Sequence, residues 1–296
     1  YNYYKKNNKH WISPYLRPKP KLKYIKFKKR KKNRKIRINN EDNYWICDHG
    51  NMCRNKTETI LSLEQINKKF PKIYRVKNFI NKFEAKHIIN IAKDRATPSM
   101  IGGGNDAHVD PTRVSKSVWL SMNKTRIFNT IYARLGTVFN INKQRMTIEN
   151  ALNYKDNNDI SNCGVASHLE VEFFDKGGFY ESHFDNDVSG GINLNFITAQ
   201  IVLEISDNMV GGESFFRSGI NSTNNNIGIT IKNEQYSLLF WYNLLSDGNL
   251  DEHTMYANKK VIQGNQVISH MTVWDPCLPS DGAPGARHSD IFKDEL

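Results

Sequence analysis

The sequence predicts an α+β domain that is mainly β, a sandwich or barrel of short strands backed by helices on its N-terminal side. Two observations predict this class. From Leu169 onward, short β-rich runs are separated by turns of Gly, Asn and Asp, and helical periodicity is confined to the residues before them. The predicted strands cover residues 169–174, 179–184, 197–205, 213–216, 228–232, 236–242, 253–256, 260–262 and 266–273.

Two helices are predicted ahead of this β-rich region. An apolar strand starting at Ile73 runs into a turn, after which Asn81 and Glu84 have the spacing of a capping box. The helix that follows has an apolar face made of Phe83, His87, Ile88, Ile91 and Ala92. A second amphipathic helix is predicted over residues 123–139, with one stripe formed by Ile127, Ile131, Leu135 and Phe139.

Positive charge is concentrated at the N-terminus. The 296-residue chain has a formal net charge of +12, and residues 1–40 contain sixteen Lys and Arg but no Asp or Glu. The remaining 26 basic and 30 acidic residues give positions 41–296 a net charge of −4. Self-repulsion predicts a basic, disordered tail over residues 1–40, followed by a connector over 41–70, a domain over 71–276 and a C-terminal tail over 277–296.

The last four residues, 293–296, read KDEL, a retrieval signal of the endoplasmic reticulum. We therefore expect a protein of the endoplasmic reticulum lumen, and a chain that starts at Tyr1 is what removal of a signal peptide would leave. An acidic partner, an anionic glycan or a lipid headgroup could bind the basic tail, although we favour a solvated tail. Nucleic acid is not an expected partner in the lumen. No apolar run is long enough to predict a membrane span.

The cysteines fit an oxidising compartment because their number is even. Four cysteines allow three pairings, of which we favour Cys47 with Cys53 and Cys163 with Cys277. A zinc site around Cys47, His49 and Cys53 is the less favoured alternative, since no second close pair of Cys or His follows to complete a tetrahedral set.

A candidate metal-binding pair lies in residues 177–185, which read GGFYESHFD. Side chains at positions i and i+2 of a strand point to the same side, so His183 and Asp185 can both reach one metal ion. They would form two-thirds of the facial triad of non-haem Fe(II) oxygenases. His108 and Asp110 have the same spacing, but they lie in a glycine-rich loop and we interpret them as a chance match.

The chain resembles the prolyl 4-hydroxylases over roughly positions 71–275. The resemblance includes PKIY at 71–74, RVS at 113–115 with WL at 119–120, the strand pair over 174–185, GGESFF at 211–216, LLFWYN at 238–243 and DG at 247–248. Together these segments are specific, although none is specific alone. The resemblance implies a double-stranded β-helix, or jelly-roll, core backed by N-terminal helices.

The same resemblance implies a set of metal positions. Proteins of this family bind Fe(II) through a His and an Asp, matched here by His183 and Asp185, and through a second His on a later strand. Counting along the chain places Tyr256 at that second position. A phenol with a pKa of about 10 must lose its proton to bind iron and would then favour ferric iron, whereas a neutral imidazole suits Fe(II).

The cosubstrate positions are altered as well. In the family, 2-oxoglutarate is held by a Lys, whose place ten residues after Tyr256 is taken by Gln266. Phe174 replaces a Tyr that contacts the cosubstrate, while Thr198 matches a position that lines the pocket, and Arg113 is the candidate catalytic residue. A change from Lys to Gln exchanges a charge-assisted bond of about 1.5–3 kcal/mol for a neutral one of about 0.5–1.5 kcal/mol.

The sequence therefore supports two hypotheses. The first is a prolyl 4-hydroxylase-like protein of the lumen with a degenerate cofactor site, inactive or weakly active, that binds a proline-containing peptide or a hydroxylase partner subunit and needs no cofactor. The second is an active procollagen-proline 4-dioxygenase-like oxidoreductase that uses Fe(II), 2-oxoglutarate and ascorbate through an altered metal shell. Two nearby histidines, His253 and His270, are predicted to be surface or core residues rather than replacement ligands.

Overall fold

The computed structural model describes residues 33–38, 44–46, 52–54, 59–102, 106–121, 124–141, 146, 165–185, 195–245 and 250–274. Within this part of the chain the helices are α1 (Lys82–Ala92) and α2 (Arg126–Phe139), with a short 3₁₀ turn at Glu252–Thr254. None of these helices is long and apolar enough to cross a membrane. The strands are β1 (Asn33–Ile38), β2 (Tyr44–Ile46), β3 (Met52–Arg54), β4 (Thr59–Asn67), β5 (Ile73–Lys77), β6 (Thr97–Pro98), β7 (Arg113–Val114), β8 (Lys116–Leu120), β9 (Val165–Ala166), β10 (Leu169–Phe174), β11 (Phe179–His183), β12 (Asn195–Ile205), β13 (Val210–Gly211), β14 (Ser214–Ile220), β15 (Ile227–Ile231), β16 (Leu238–Tyr242), β17 (Tyr256–Asn258), β18 (Val261–Gln263) and β19 (Gln266–Trp274).

Most of these strands form two antiparallel sheets that pack face to face. The larger sheet has the order β1-β4-β5-β16-β12-β19-β10-β8-β6, with β9 paired to β19, and the smaller sheet has the order β15-β14-β17-β11-β7. Leu239 and Trp241 of the larger sheet pack against Phe216 and Tyr256 of the smaller one. This arrangement confirms the predicted class, a mainly β, double-stranded β-helix core with helices on its N-terminal side.

The two helices cover the outer face of the larger sheet. Buried residues of both helices, among them Ile88 and Leu135, share one apolar core with Val76 and Phe240 of the sheet. The predicted capping box is confirmed, because Asn81 Oδ1 accepts a hydrogen bond from the Glu84 backbone N–H at 2.9 Å and the Asn81 N–H donates to Glu84 Oε2 at 3.0 Å.

A buried ion pair joins the two helices. Arg134 of α2 and Glu84 of α1 are fully buried, and Arg134 Nη1 donates to Glu84 Oε2 at 3.0 Å. Arg134 also donates to the carbonyl oxygen of Phe79 at 3.0 Å. This pair fixes the helical layer that backs the larger sheet.

The N-terminal side of the chain differs from the prediction. Residues 33–38 fall within the predicted disordered tail and residues 59–67 within the predicted connector, yet they form β1 and β4 of the larger sheet. The reason is a two-residue period inside a basic run: Ile36 and Ile38 are buried, while Lys35 and Arg37 are exposed. The sheet therefore begins well before position 71.

Both predicted helices and nearly all predicted strands after position 168 are confirmed. The prediction of a strand over 253–256 is wrong, since residues 252–254 form the 3₁₀ turn and β17 starts at Tyr256. Asp251 stabilises that turn by accepting a hydrogen bond from the His253 backbone N–H at 3.1 Å. The KDEL residues, Cys47, Cys163 and Cys277 lie outside the described residues, so the retrieval signal and the disulfides stay predictions.

Candidate active site

His183 and Asp185 stand at the end of β11, on the inner side of the smaller sheet. His183 Nε2 lies 3.6 Å from Asp185 Oδ1. His183 Nδ1 lies 2.8 Å from the carbonyl oxygen of Glu181, which can only accept, so Nδ1 donates to it and Nε2 faces the Asp185 carboxylate. A hydrogen bond from one ring nitrogen to a backbone carbonyl is common for a metal-binding imidazole, because it fixes the orientation of the ring.

Thr198 positions the carboxylate of Asp185. Its hydroxyl donates to Asp185 Oδ2 at 2.5 Å and accepts from Asn243 Nδ2 at 2.8 Å. Burial would raise the pKa of Asp185, but the adjacent His183 and the hydrogen bond from Thr198 lower it below its ordinary value. Asp185 is therefore ionised at neutral pH. Thr198, predicted to line a cosubstrate pocket, contacts Asp185 of the candidate metal-binding pair directly.

Tyr256 lies directly opposite His183, because the two residues pair in register between β17 and β11. Its side chain is fully buried, and its hydroxyl lies 3.4 Å from Asp185 Oδ1. Burial, followed by the charge of Asp185, raises the pKa of Tyr256 well above its ordinary value. The residue at the predicted third metal position is therefore a neutral phenol that touches the Asp185 carboxylate.

His270 also belongs to this cluster, which the sequence did not predict. Its Nε2 lies 3.0 Å from the Tyr256 hydroxyl, the same hydroxyl that lies 3.4 Å from Asp185 Oδ1. Burial lowers the pKa of His270, so its imidazole is neutral at neutral pH. It is a core histidine, as predicted, and the Tyr256 hydroxyl contacts both it and Asp185. His253 lies elsewhere, with Nδ1 2.6 Å from Asp251 Oδ1 and its ring stacked on Phe70.

Arg113, the predicted catalytic residue, is held by two glutamates of β10. Its guanidinium donates to Glu170 Oε1 at 2.7 Å and to Glu172 Oε1 at 2.5 Å, and it lies over the ring of Tyr180 at 4.7 Å. The Tyr180 ring in turn stacks on His183, with ring centroids 3.7 Å apart. Tyr180 therefore lies in contact with both Arg113 and His183 of the candidate metal-binding pair. The charge of Arg113 is neutralised by carboxylates of its own chain.

The two glutamates add negative charge to the same region. Glu170 and Glu172 are both buried, and burial followed by the charge of Glu172 raises the pKa of Glu170. Burial also raises the pKa of Tyr180 to about 12. Two buried carboxyl groups thus contact one guanidinium, an environment that disfavours a dianionic ligand.

Gln266 lies in a closed network of neutral groups. Its Oε1 accepts from Asn233 Nδ2 at 3.0 Å, and its Nε2 donates to the carbonyl oxygen of Gly212 at 3.0 Å. Asn233 Oδ1 accepts from Ser214 Oγ and from Gln200 Nε2, both at 3.2 Å. All four side chains are buried. The amide at the predicted cosubstrate anchor is therefore satisfied within the chain.

Phe174 lies beside this network in a purely apolar setting. It is fully buried and packs with Val202, Val261 and Ile268. The backbone of β10 places it opposite Gln266 on β19. The Phe174 ring has no polar atom that could donate a hydrogen bond to a cosubstrate carboxylate. Phe174 therefore contributes only packing.

These residues do not fit Fe(II) and 2-oxoglutarate in the way the resemblance implied. Within the described residues, no group of three or more His, Cys, Asp and Glu side chains is arranged to hold a metal ion. The third metal position holds a neutral phenol, and the anchor for the cosubstrate carboxylate is an amide with no positive charge. The second HxD motif does not replace the first, because His108 is exposed and Asp110 Oδ1 accepts from Thr112 within its own loop.

Comparison with known proteins gives a consistent set of relatives, although no family model matches the chain. Prolyl 4-hydroxylase subunit alpha-1 of Bos taurus and that of Homo sapiens are each 25% identical over 208 residues, which cover 68% of this chain and 34% of theirs. The chain thus matches about a third of the length of these relatives. Prolyl 4-hydroxylase 2 of Arabidopsis thaliana is 23% identical over 245 residues, 74% of each chain.

Solved structures with a similar arrangement include two prolyl hydroxylases. The viral collagen prolyl hydroxylase of Paramecium Bursaria Chlorella virus-1, in its 2OG complex, is 17% identical with a TM-score of 0.48 and covers 69% of this chain and 96% of that one. A prolyl hydroxylase of Trichoplax adhaerens, in complex with a hypoxia inducible factor peptide fragment, is 12% identical with a TM-score of 0.47 and covers 69% of this chain and 83% of that one.

Proposed function

Given that this chain contains a prolyl 4-hydroxylase-like domain of the 2-oxoglutarate oxygenase fold, we propose that it is a non-catalytic or weakly catalytic member of that group. In this proposal it binds a proline-containing peptide, or a hydroxylase partner subunit, without turning over a cosubstrate. The relatives' names supply the peptide class, and the cluster around Asp185 supplies the reason for lost catalysis.

One observation carries the proposal. The Tyr256 hydroxyl lies within 3.4 Å of Asp185 Oδ1 and 3.0 Å of His270 Nε2, at the position that a third imidazole would need. A neutral phenol is a poor ligand for Fe(II), and deprotonating it would place a second negative charge beside the buried Asp185. Gln266 adds a second deficit, because its amide already bonds Asn233 and Gly212.

The endoplasmic reticulum lumen is the proposed location, supported by the KDEL sequence at residues 293–296. In a cell with a KDEL receptor, deletion of these four residues is expected to release the protein into the medium. Continued retention of the truncated protein would contradict this location.

The test of the proposed function measures peptide binding without metal. A fluorescent proline-rich peptide, such as a repeat of Pro-Pro-Gly, is titrated with the full chain in excess chelator, and an Ala-Ala-Gly repeat serves as the control. We expect the proline peptide to bind with the same affinity whether Fe(II) and 2-oxoglutarate are present or absent. Binding that requires both cofactors, or equal binding of the two peptides, would overturn the proposal.

A second candidate function, an active dioxygenase with an altered metal shell, is favoured by one feature. His270 is a buried, neutral imidazole whose Nε2 lies 3.0 Å from the Tyr256 hydroxyl. Displacement of the phenol would bring His270 toward His183 and Asp185. Under this alternative, His270→Ala and His183→Ala would abolish the same cofactor-dependent activity.

A further inference from the structure

Part of the larger sheet extends past the edge of the smaller one. The edge strand of the smaller sheet, β15, packs its Ile229 and Ile231 over Ile73 of β5, with Ile66 of β4 beside them. The remainder of β4 and all of β1 lie beyond this strand. Their side chains on the face toward the smaller sheet are consequently exposed, as at Lys35 and Ser62.

Positive side chains are aligned on this exposed face. Lys35 pairs in register with Ser62, and Ser62 pairs with Lys77, so the three residues form one row across β1, β4 and β5. The two lysines at the ends of the row are about 10 Å apart at the backbone, and Arg37 lies about 7 Å along β1 on the same face. An extended peptide presents alternate side chains at that same spacing of about 7 Å.

A cavity of about 480 Å³ lies beside this row, between the end of β4, Arg75 of β5 and residues 229–234 at the edge of β15. Arg75 lines it with only 9% of its surface exposed, donating to Glu234 Oε1 at 2.6 Å and to the Lys232 carbonyl oxygen at 2.8 Å. Arg75 Nε has no hydrogen-bond partner among the described residues. The charges of this face sum to a positive value, because five cations, Lys35, Arg37, Arg75, Lys77 and Lys232, stand against Glu64 and Glu234.

The wall of the cavity is an open strand edge. In the part of the chain that the structure describes, β15 pairs with β14 on one side and with no strand on the other. Such an edge offers backbone N–H and C=O groups to an added strand. The lining residues that the structure describes include amides, hydroxyls and isoleucines but no aromatic ring on which a nucleic-acid base could stack.

We propose that this groove, with β1, β4 and β5 as its floor and β15 as its wall, binds an extended acidic polypeptide segment. The segment pairs with the free edge of β15 and places alternate carboxylates over Lys35, Arg37 and Lys77. The strand edge selects a peptide backbone, and the cations select acidic side chains.

The test uses the full chain and a labelled ten-residue peptide in which Glu and Thr alternate, with the matching Gln and Thr peptide as the neutral probe. We expect binding of the acidic peptide alone, weakening as salt rises. Lys35→Gln with Lys77→Gln is expected to weaken binding about three- to tenfold, the range for two exposed charge pairs. The matched control is Lys86→Gln with Lys93→Gln, which removes the same charge from two exposed residues, one within α1 and one directly after it. This control is expected to leave binding unchanged.

Hydrogen exchange separates strand pairing from simple charge attraction. Bound acidic peptide is expected to slow amide exchange within residues 227–231, because added hydrogen bonds protect the β15 edge. Three results would overturn the proposal: no binding, an equal loss in the control pair, or binding without protection of β15. A heparin oligosaccharide that displaces the peptide and binds more tightly without protecting β15 would assign the surface to anionic glycans instead.

Discussion

The Tyr256 hydroxyl lies 3.0 Å from His270 Nε2 and 3.4 Å from Asp185 Oδ1, so one phenol contacts both a buried imidazole and the carboxylate of the candidate metal pair. The rings of Trp241 and Phe216 pack against the same phenol, with centroids 4.7 Å and 6.0 Å away. Tyr256 is therefore fixed by packing as well as by hydrogen bonds. Its identity decides what the cluster can bind.

Replacing Tyr256 with His is expected to create a metal site. The new imidazole would lie opposite His183 in register and complete a set of two His and one Asp, which suits Fe(II). We expect at least a tenfold gain in Fe(II) affinity over the wild type, measured by anaerobic calorimetry. Tyr256→Phe is the matched control, because it removes the same hydroxyl without adding a ligand, and a similar gain in that variant would contradict the account.

At position 266, removing the amide is expected to destabilise the protein less than introducing a charged side chain. Gln266→Met keeps the volume and leaves Asn233 bonded to the Gly212 carbonyl oxygen, so we expect a loss of about 1 to 2 kcal/mol in the free energy of unfolding. Gln266→Lys buries an ammonium group among neutral partners and is expected to cost about 3 kcal/mol or more. Urea unfolding measures both. A Gln266→Lys protein that is as stable as the wild type and binds 2-oxoglutarate would show that a cosubstrate site is still present.

The buried pair between Arg134 and Glu84 is expected to be the most sensitive structural contact of the helical layer. Arg134→Met leaves Glu84 charged and buried without its partner, which costs about 3–5 kcal/mol. Adding Glu84→Gln should recover part of this loss, because Gln keeps the capping box while removing the unpaired charge. If Glu84→Gln lowers the free energy of unfolding as much in the Arg134→Met background as it does in the wild type, the two residues are not coupled.

His270 should make stability depend on pH. Burial lowers its pKa below the ordinary value of 6.5, so the native state favours the neutral ring. Its contribution to stability is present above the unfolded-state pKa and is lost as the pH falls through and below that value. We expect the free energy of unfolding to decrease from pH 7.5 to pH 5, and to decrease less in His270→Asn. His87, whose pKa burial also lowers, contributes to the pH dependence with the same sign.

Much of the fold could be predicted from local patterns. The capping box at Asn81, the apolar stripe of α2 and the short β-rich runs are properties of neighbouring residues, and the structure confirms them. The predicted face of α1 is confirmed only in part, because Ile88 and Ala92 are buried but Phe83 is exposed. The strand at Asn33–Ile38 was missed because average charge hid a period carried by only two residues, Ile36 and Ile38. The 3₁₀ turn at Glu252–Thr254 was missed because the side-chain cap from Asp251 competes with strand formation.

The site could be predicted only in part. His183, Asp185 and Tyr256 were placed by resemblance, and the structure brings these three side chains together. His270 was missed because its contact with Tyr256 joins strands of opposite sheets, and distance along one strand does not reveal such a contact. The partners of Arg113 and Gln266 also come from residues distant in the sequence. For Arg113, the available signal was the i, i+2 spacing of Glu170 and Glu172, which places both carboxyl groups on the same face of one strand.

The most direct test of the central claim is succinate release by the wild-type protein. The purified full chain is incubated with Fe(II), 2-oxoglutarate, ascorbate, oxygen and a proline-rich peptide, and succinate is quantified against a sample containing chelator. The account predicts no peptide-dependent succinate above the chelated sample, because Tyr256 and Gln266 stand where a third imidazole and an ammonium group would be needed. Iron-dependent succinate release that is lost in His183→Ala would contradict it.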